Sequence, residues 1–443
     1  MKSAIPIVPG AAPGELPDPP VRLALLMWML AVAFYLFGFF HRVTPAVLTT
    51  ELMQDFQLSA VMLGNLSAFY FYFYAAMQLP TGVLVDRFGP RRLLWIGAVI
   101  GGVGALLFAF ADTFLSAALG RGLIGATVAV AWVSMLKLCA HWFNPHRLGT
   151  VTGLSLAVGT MGAVMAGLPL RALSDTFGWR PVMAASGAVA LLLAAGIFFV
   201  MRDDPQERGF RSQLPAGLSL KSPSLRTVLT GLGRIWRYRN VALLFWVPSG
   251  ICGAFLTFTG LWGVPFLVQL HGLTPRSASL VTSGMLVAFS VGSIAVGILS
   301  DRLRLRKLPY VIGSTATLIS YLALYIFPDA PLGFLVPLLL LGAAGSGGMA
   351  VGFLFARESA PLALSGTVAG AVNMGVMIGP LAQQPLIGWI LDSNWRGGLV
   401  NGVRVYDLHA YQLAFGLLLV WVASAWIALL ATRETHCKQY HEP

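Results

Sequence analysis

The sequence predicts an all-α membrane protein of twelve transmembrane helices, built as two six-helix bundles that repeat one another. Three observations carry this prediction. Of 443 residues, 57% are hydrophobic and only 10% charged, against roughly 25% charged in a soluble domain. The apolar residues gather into about a dozen runs, each long enough to cross roughly 30 Å of hydrocarbon at about 1.5 Å per residue. One polar break, Gly82-Val83-Leu84-Val85-Asp86-Arg87-Phe88-Gly89-Pro90-Arg91-Arg92, returns as a weaker copy, Gly297-Ile298-Leu299-Ser300-Asp301-Arg302-Leu303-Arg304-Leu305-Arg306-Lys307, with Gly, Leu, Asp, Arg and Arg at the same offsets.

Taken in order, the apolar runs are 22–48, 61–85, 93–111, 114–140, 149–170, 181–201, 241–270, 279–300, 308–327, 332–356, 366–391 and 410–431. Backbone polar groups must be satisfied inside the bilayer, so the runs are helices. The alternation of a membrane β-barrel is absent. Residues 1–21 carry six prolines from Pro6 to Pro20 and read as a flexible tail. Residues 22–201 form the first bundle, 202–240 a long polar connection, 241–431 the second bundle and 432–443 a short tail. The loop charges set the orientation. Arg87, Arg91 and Arg92 follow helix 2, Arg147 follows helix 4, eight basic residues lie in 202–240, and Arg302, Arg304, Arg306 and Lys307 follow helix 8. Glu51, Asp55, Asp112 and Asp329 lie on the other side. The positive-inside rule then makes both termini cytoplasmic, as in a bacterial inner-membrane protein.

The halves repeat elsewhere too. Gly149-Thr150-Val151-Thr152-Gly153 opens helix 5 and Gly366-Thr367-Val368-Ala369-Gly370 opens helix 11. Two repeated halves are the plan of a secondary transporter, with its site between them near the midplane. Other classes are disfavoured. The net charge of +12 lies in short connections, which argues against nucleic acid. Cys139, Cys252 and Cys437 are too far apart for a disulfide framework or a metal site. No nucleophile–base set, metal spacing or phosphate loop marks an enzyme or a cofactor. A non-transporting sensor would carry an added domain, for which the 202–240 loop and the tail after Arg433 are short.

Gly82–Arg92 resembles the loop 2–3 signature of the major facilitator superfamily, and the copy after helix 8 is what that family also shows. Arg121-Gly122-Leu123-Ile124-Gly125 resembles its helix 4 motif, and Trp142-Phe143 with Arg147 and Gly149-Thr150 its helix 4–5 connection. The resemblance covers nearly the whole chain beyond residue 21. It implies two bundles that rock about a central cavity. It also implies that Asp86 pairs with a basic residue of the helix 4–5 connection, with Arg147 the local candidate, and with the positive N-terminus of helix 11. Gly82, Asp86, Arg87, Gly89, Arg91, Arg147, Asp301 and Arg302 would then form a conformational latch. A plain positive-inside anchor is the alternative.

Charge at membrane depth is costly and marks function. All seventeen acids fall in loops or near helix ends. Arg42 and Arg121 instead sit roughly 10 Å below the outer surface at about 1.5 Å per residue. Two unneutralised guanidinium groups suit a carboxylate, sulfonate or phosphate. Alternatively, Arg42 snorkels to the interface and Arg121 bonds helix-end carbonyls. His41-Arg42 with Glu51 to Phe56 further resembles helix 1 of the anion:cation symporter branch, which includes sialin-like carriers. In that branch this arginine contacts the substrate anion. An Asp often precedes it, and a Glu in helix 4 often helps carry the proton. Here His41 and the apolar Ala126-Thr127-Val128-Ala129 stand instead, so His41 is the candidate for proton coupling. Tyr70, Tyr74 and Gln78 share one face of helix 2, and Trp262, Asn373 and Gln384 are candidates from the second half. The expected function is transport of a small organic anion, by symport with a proton or without coupling. Proton-driven export of apolar compounds is the alternative.

Overall fold

A computed structural model describes residues 16–144, 147–213, 233–361, 364–400 and 402–439. Among them are twelve helices long and apolar enough to span a membrane. Helix 1 is Val21–Val47, helix 2 Ala60–Phe88, helix 3 Pro90–Ala109 and helix 4 Phe114–Trp142. Helix 5 runs in two pieces, Leu148–Met165 and Leu168–Phe177, and helix 6 is Trp179–Val200. Helix 7 is Arg239–Thr257, a π-helical turn Phe258–Trp262 and Gly263–His271. Helix 8 is Pro275–Leu303 and helix 9 Lys307–Ile326. Helix 10 is Leu332–Ser346 with Met349–Glu358, helix 11 Ser365–Ser393 and helix 12 Leu408–Leu430. A two-stranded hairpin, β1 Leu399–Val400 and β2 Val403–Arg404, joins the last two helices.

Local chemistry sets the helix ends. Ser59, Thr113, Thr274 and Asp407 accept backbone N–H groups at the starts of helices 2, 4, 8 and 12, satisfying donors that the first turn leaves free. Gly89, at φ +79°, ends helix 2, and Pro90 begins helix 3. A side chain at Gly89 would also strike the Asp203 carboxylate. The second copy lacks this Gly-Pro, and Arg304 itself takes the left-handed conformation at φ +53°, which a side-chain-bearing residue adopts only at a cost.

The two bundles meet closely where the N-terminal end of helix 2 lies against the C-terminal half of helix 11. A Cβ on Gly64 of helix 2 would lie 2.5 Å from the Gln384 carbonyl oxygen of helix 11, and one on Gly388 would lie 2.4 Å from that of Ala60. At the N-terminal ends of helices 5 and 11, a Cβ on Gly153, Gly366 or Gly370 would meet nothing within 4 Å among the described residues. The bundles thus pack closely at the face that holds Gly64 and Gly388.

Candidate functional site

Helix 1 contains Pro45, which removes the N–H that would bond the His41 carbonyl. Arg121 of helix 4 supplies the missing donor: its Nη1 bonds His41 O and its Nη2 donates to Ser67 O at 3.3 Å. Arg121 is fully buried. Both Nη atoms of Arg121 thus bond carbonyls of helices 1 and 2, the structural alternative read from the sequence, while its Nε has no partner.

Arg42, on the next residue of helix 1, is placed differently. It is 7% exposed, its Nε has no partner, and no carboxylate pairs with it among the described residues. Its guanidinium carbon lies 4.3 Å from the Phe39 ring centroid, 5.4 Å from that of Tyr74 and 5.8 Å from that of Tyr70. Tyr70 and Tyr74 stack at 6.1 Å with 16° between planes, and the Tyr70 hydroxyl donates to Gly38 O at 3.2 Å. The helix 2 stripe thus forms an aromatic wall around an unneutralised cation, a favourable arrangement for the ring faces. Gln78 lies two turns on, half-buried.

The second bundle contributes Gln384. It is fully buried, and neither carboxamide atom has a partner. Its neighbour Gln383 is equally buried but satisfied: its Oε1 accepts from Thr257 at 2.9 Å and its Nε2 donates to Ser249 O at 3.3 Å. Pro380 and Pro385 bracket the pair in helix 11. The Trp262 indole donates to Gln384 O at 3.1 Å from the π-helical turn of helix 7, a distortion frequent at functional sites. A Cβ on Gly260 of that turn would lie 3.5 Å from Gln384 Nε2 and 4.0 Å from Arg42 O. The Gln384 carboxamide of the second bundle and the Arg42 backbone carbonyl of the first therefore both border Gly260 of helix 7. Trp262 is buried as a support, and Asn373 is half-buried further along helix 11.

His41 is fully buried against helix 6, with Nε2 3.1 Å from Ser186 Oγ and the Phe37 ring 4.4 Å away. Its side chain faces helix 6 and not the space between the bundles, because adjacent helical residues point about 100° apart.

At the C-terminal end of helix 2 Asp86 bonds Lys137, which faces helix 2 from within helix 4, and Arg147, the candidate named from the resemblance, is exposed. Near the N-terminus of helix 11, a Cβ on Gly366 or Gly370 would meet nothing within 4 Å among the described residues. Arg87 and Arg302 are exposed. Gly82 lies outside the residues whose surroundings are described. Arg91 N donates to Asp203 Oδ1 at 2.6 Å and its guanidinium to Phe198 O at 2.5 Å, tying the loop to helix 6. Burial pushes the Asp203 carboxyl up, outweighing the Arg91 N–H. Burial also raises that of Asp204, but the His141 imidazole, Gln206 N–H and Ser212 hydroxyl more than offset it and hold it low. In the second copy Asp301 is largely exposed and bonds Arg306 at 2.9 Å, and Arg306 also holds Glu358 at 3.0 Å. Sequence reasoning did not pair Lys137 with Asp86, Arg91 with Asp203 or Arg306 with Glu358. Only the excess of bases near these helix ends hinted at them.

Two bundles of membrane helices with an unpaired cation and an unpaired amide between them define a polytopic carrier. The chain belongs to the Major Facilitator Superfamily, whose profile matches residues 24–272 and 250–439, and it is a transporter and not an enzyme. It is 24% identical over 412 residues to the "Probable galactarate/D-glucarate transporter GudP" of Escherichia coli (strain K12), covering 86% of this chain and 90% of that protein. It is 24% identical over 385 residues to the "Probable sulfoacetate transporter SauU" of Cupriavidus necator, covering 81% and 85%. The fold matches that of a bacterial homologue of the human lysosomal transporter Spinster in an inward-facing, unoccupied conformation, with a TM-score of 0.71 at 17% identity over 93% of this chain and 98% of that one.

Proposed function

We propose that the protein carries a small organic anion across a bacterial inner membrane, with both termini cytoplasmic, by exposing Arg42 alternately to either side. The observation that carries this reading is the buried Arg42 guanidinium without a carboxylate partner. A buried charge persists where something pairs with it, and here the missing partner is the carboxylate or sulfonate of the substrate. The similar GudP and SauU proteins bear the names of such anions. Gln384 supplies the second contact. A carboxamide with both donor and acceptor free suits a hydroxyl or a second carboxylate, so the favoured substrate is a hydroxylated mono- or dicarboxylate. No carboxylate lies beside Arg42, and His41 faces away. Transport is therefore facilitative, or coupled through protonation of the substrate itself.

Uptake of labelled D-glucarate, galactarate and sulfoacetate into proteoliposomes, with a neutral sugar as control, tests the proposal. Saturable uptake of one anion, lost in Arg42→Ala while the variant retains its melting temperature, supports it. Anion uptake unchanged in Arg42→Ala, or uptake of the neutral sugar alone, overturns it.

A further inference from the structure

We infer that Asp175 and Asp392 are a pair of outer latches that hold this carrier shut towards the outside, and that the repeat places them as counterparts of Asp86 and Asp301 on the opposite face. Asp392 ends helix 11 of the second bundle, yet its carboxylate caps helix 2 of the first. Ala60 N donates to Oδ1 at 3.1 Å and Val61 N to Oδ2 at 2.8 Å. These are first-turn N–H groups with no partner inside their own helix, at the positive end of the helix dipole. Arg404 Nη1 at 3.0 Å and the Tyr406 hydroxyl at 2.8 Å hold the same carboxylate from within its own bundle. Arg404 is in turn stacked on Trp395 at 4.4 Å, and Tyr406 N donates to Gln269 Oε1 at 3.1 Å. The hairpin thus aims Asp392 at helix 2.

Asp175 does the same work at the other seam. It ends helix 5 of the first bundle and meets Arg276 at the start of helix 8 of the second, Nε to Oδ2 at 2.8 Å. Arg171 at 2.5 Å anchors it to its own helix and also bonds Glu51 at 2.6 Å. Close packing accompanies both pairs: a Cβ on Gly167 would strike Ser283 Oγ at the helix 5–8 seam, as one on Gly388 would strike Ala60 at the helix 11–2 seam.

The repeat explains the placement. Asp175 stands as far beyond Gly149 as Asp392 stands beyond Gly366, and Val61 precedes Gly82 by the same distance as Arg276 precedes Gly297. The two contacts therefore occupy equivalent positions of the repeat, one as a backbone cap and the other as a side-chain ion pair. Asp86 and Asp301 occupy equivalent positions at the cytoplasmic ends of helices 2 and 8, so each of the four seam helices ends in an aspartate. In this structure the outer pair reaches across the bundles, and Asp301 bonds Arg306 of its own bundle. Outward opening must part helix 2 from helix 11 and helix 5 from helix 8, which breaks both outer contacts. The Asp392 arm is the stronger, since its carboxylate is 14% exposed whereas Arg276 is 58% exposed and open to water and salt.

Spin labels at Asp112→Cys and Asp329→Cys, one on each bundle at the outer face, read the opening by pulsed electron spin resonance on the full chain, with the three native cysteines replaced by serine. Asp392→Ala is expected to raise the long-distance, outward-open population roughly tenfold, the size of effect given by losing hydrogen bonds to a buried carboxylate. Asp175→Asn raises it less, and the double variant most. Exchanging the charges, Asp175→Arg with Arg276→Asp, restores the closed distribution relative to either single change. Distance distributions that superimpose on those of the parent in the double variant overturn the inference. So does an Arg404→Gln variant that opens the outer face as far as Asp392→Ala, because Arg404 braces the hairpin without touching helix 2.

Discussion

Arg42 and Arg121 flank the same ring, with guanidinium carbons 5.8 Å and 5.3 Å from the Tyr70 centroid, and their surroundings give them opposite roles. Arg121 takes a carbonyl orphaned by Pro45 and a second one on helix 2, so its charge is dispersed into backbone dipoles. Arg42 lies among the rings of Phe39, Tyr70 and Tyr74, with a side-chain hydrogen bond to Tyr70 and no carboxylate partner among the described residues, while Nε is unpartnered in both arginines. Gln383 and Gln384 repeat the contrast on the other bundle, one amide spent on Thr257 and Ser249 O, the other on nothing. Burial alone does not mark a binding residue here. What marks it is burial with unused hydrogen-bonding capacity, because such a group costs stability unless a ligand completes it.

The comparison can be broken most directly at Arg42. Arg42→Ala is expected to weaken anion binding roughly 100-fold or more, measured by isothermal titration, with the melting temperature held or raised. Arg121→Met should do the reverse. It leaves the His41 carbonyl without a donor and costs roughly 3 kcal/mol, seen as a lower melting temperature in detergent. Equal loss of binding in both, with no loss of stability in Arg121→Met, would erase the distinction.

Gln384→Leu sharpens the contrast with Gln383→Leu. The first should raise the KM for anion uptake by roughly tenfold without lowering thermal stability, since it removes two unsatisfied buried atoms. The second should destabilise, since it leaves the Thr257 hydroxyl and Ser249 carbonyl unpaired. The smallest effect belongs to the cytoplasmic face. Asp86→Asn loses a partly exposed pair with Lys137 and should change the uptake rate by less than about fivefold. A larger change would mean that Asp86 does more in the outward-open form than it does here.

Much of the architecture was legible. Twelve apolar runs, basic cytoplasmic connections and the doubled Gly-x-Leu-x-Asp-Arg break follow from the solvent: hydrocarbon demands long apolar helices, and their count and polarity can be read from one strand of text. Gly89 was legible too, since a turn with positive φ before a proline favours glycine. The candidate site was legible only as a set of residue types. Arg42, Tyr70, Tyr74 and Gln384 were all singled out, but so was Arg121, and nothing in the spacing separated the arginine among rings from the one bonded to carbonyls.

Sequence by itself determined the membrane class, the two-bundle repeat and the presence of arginine at membrane depth, because each depends on composition along the chain. Tertiary structure decided that the Nη atoms of Arg121 bond helix carbonyls while Arg42 lies among aromatic rings, that the Gln384 carboxamide is buried without a partner, that Lys137 bonds Asp86, and that Asp392 reaches across to the amides of helix 2. Those outcomes depend on which partners arrive within about 3 Å of a polar atom, and that is fixed only when distant helices pack together.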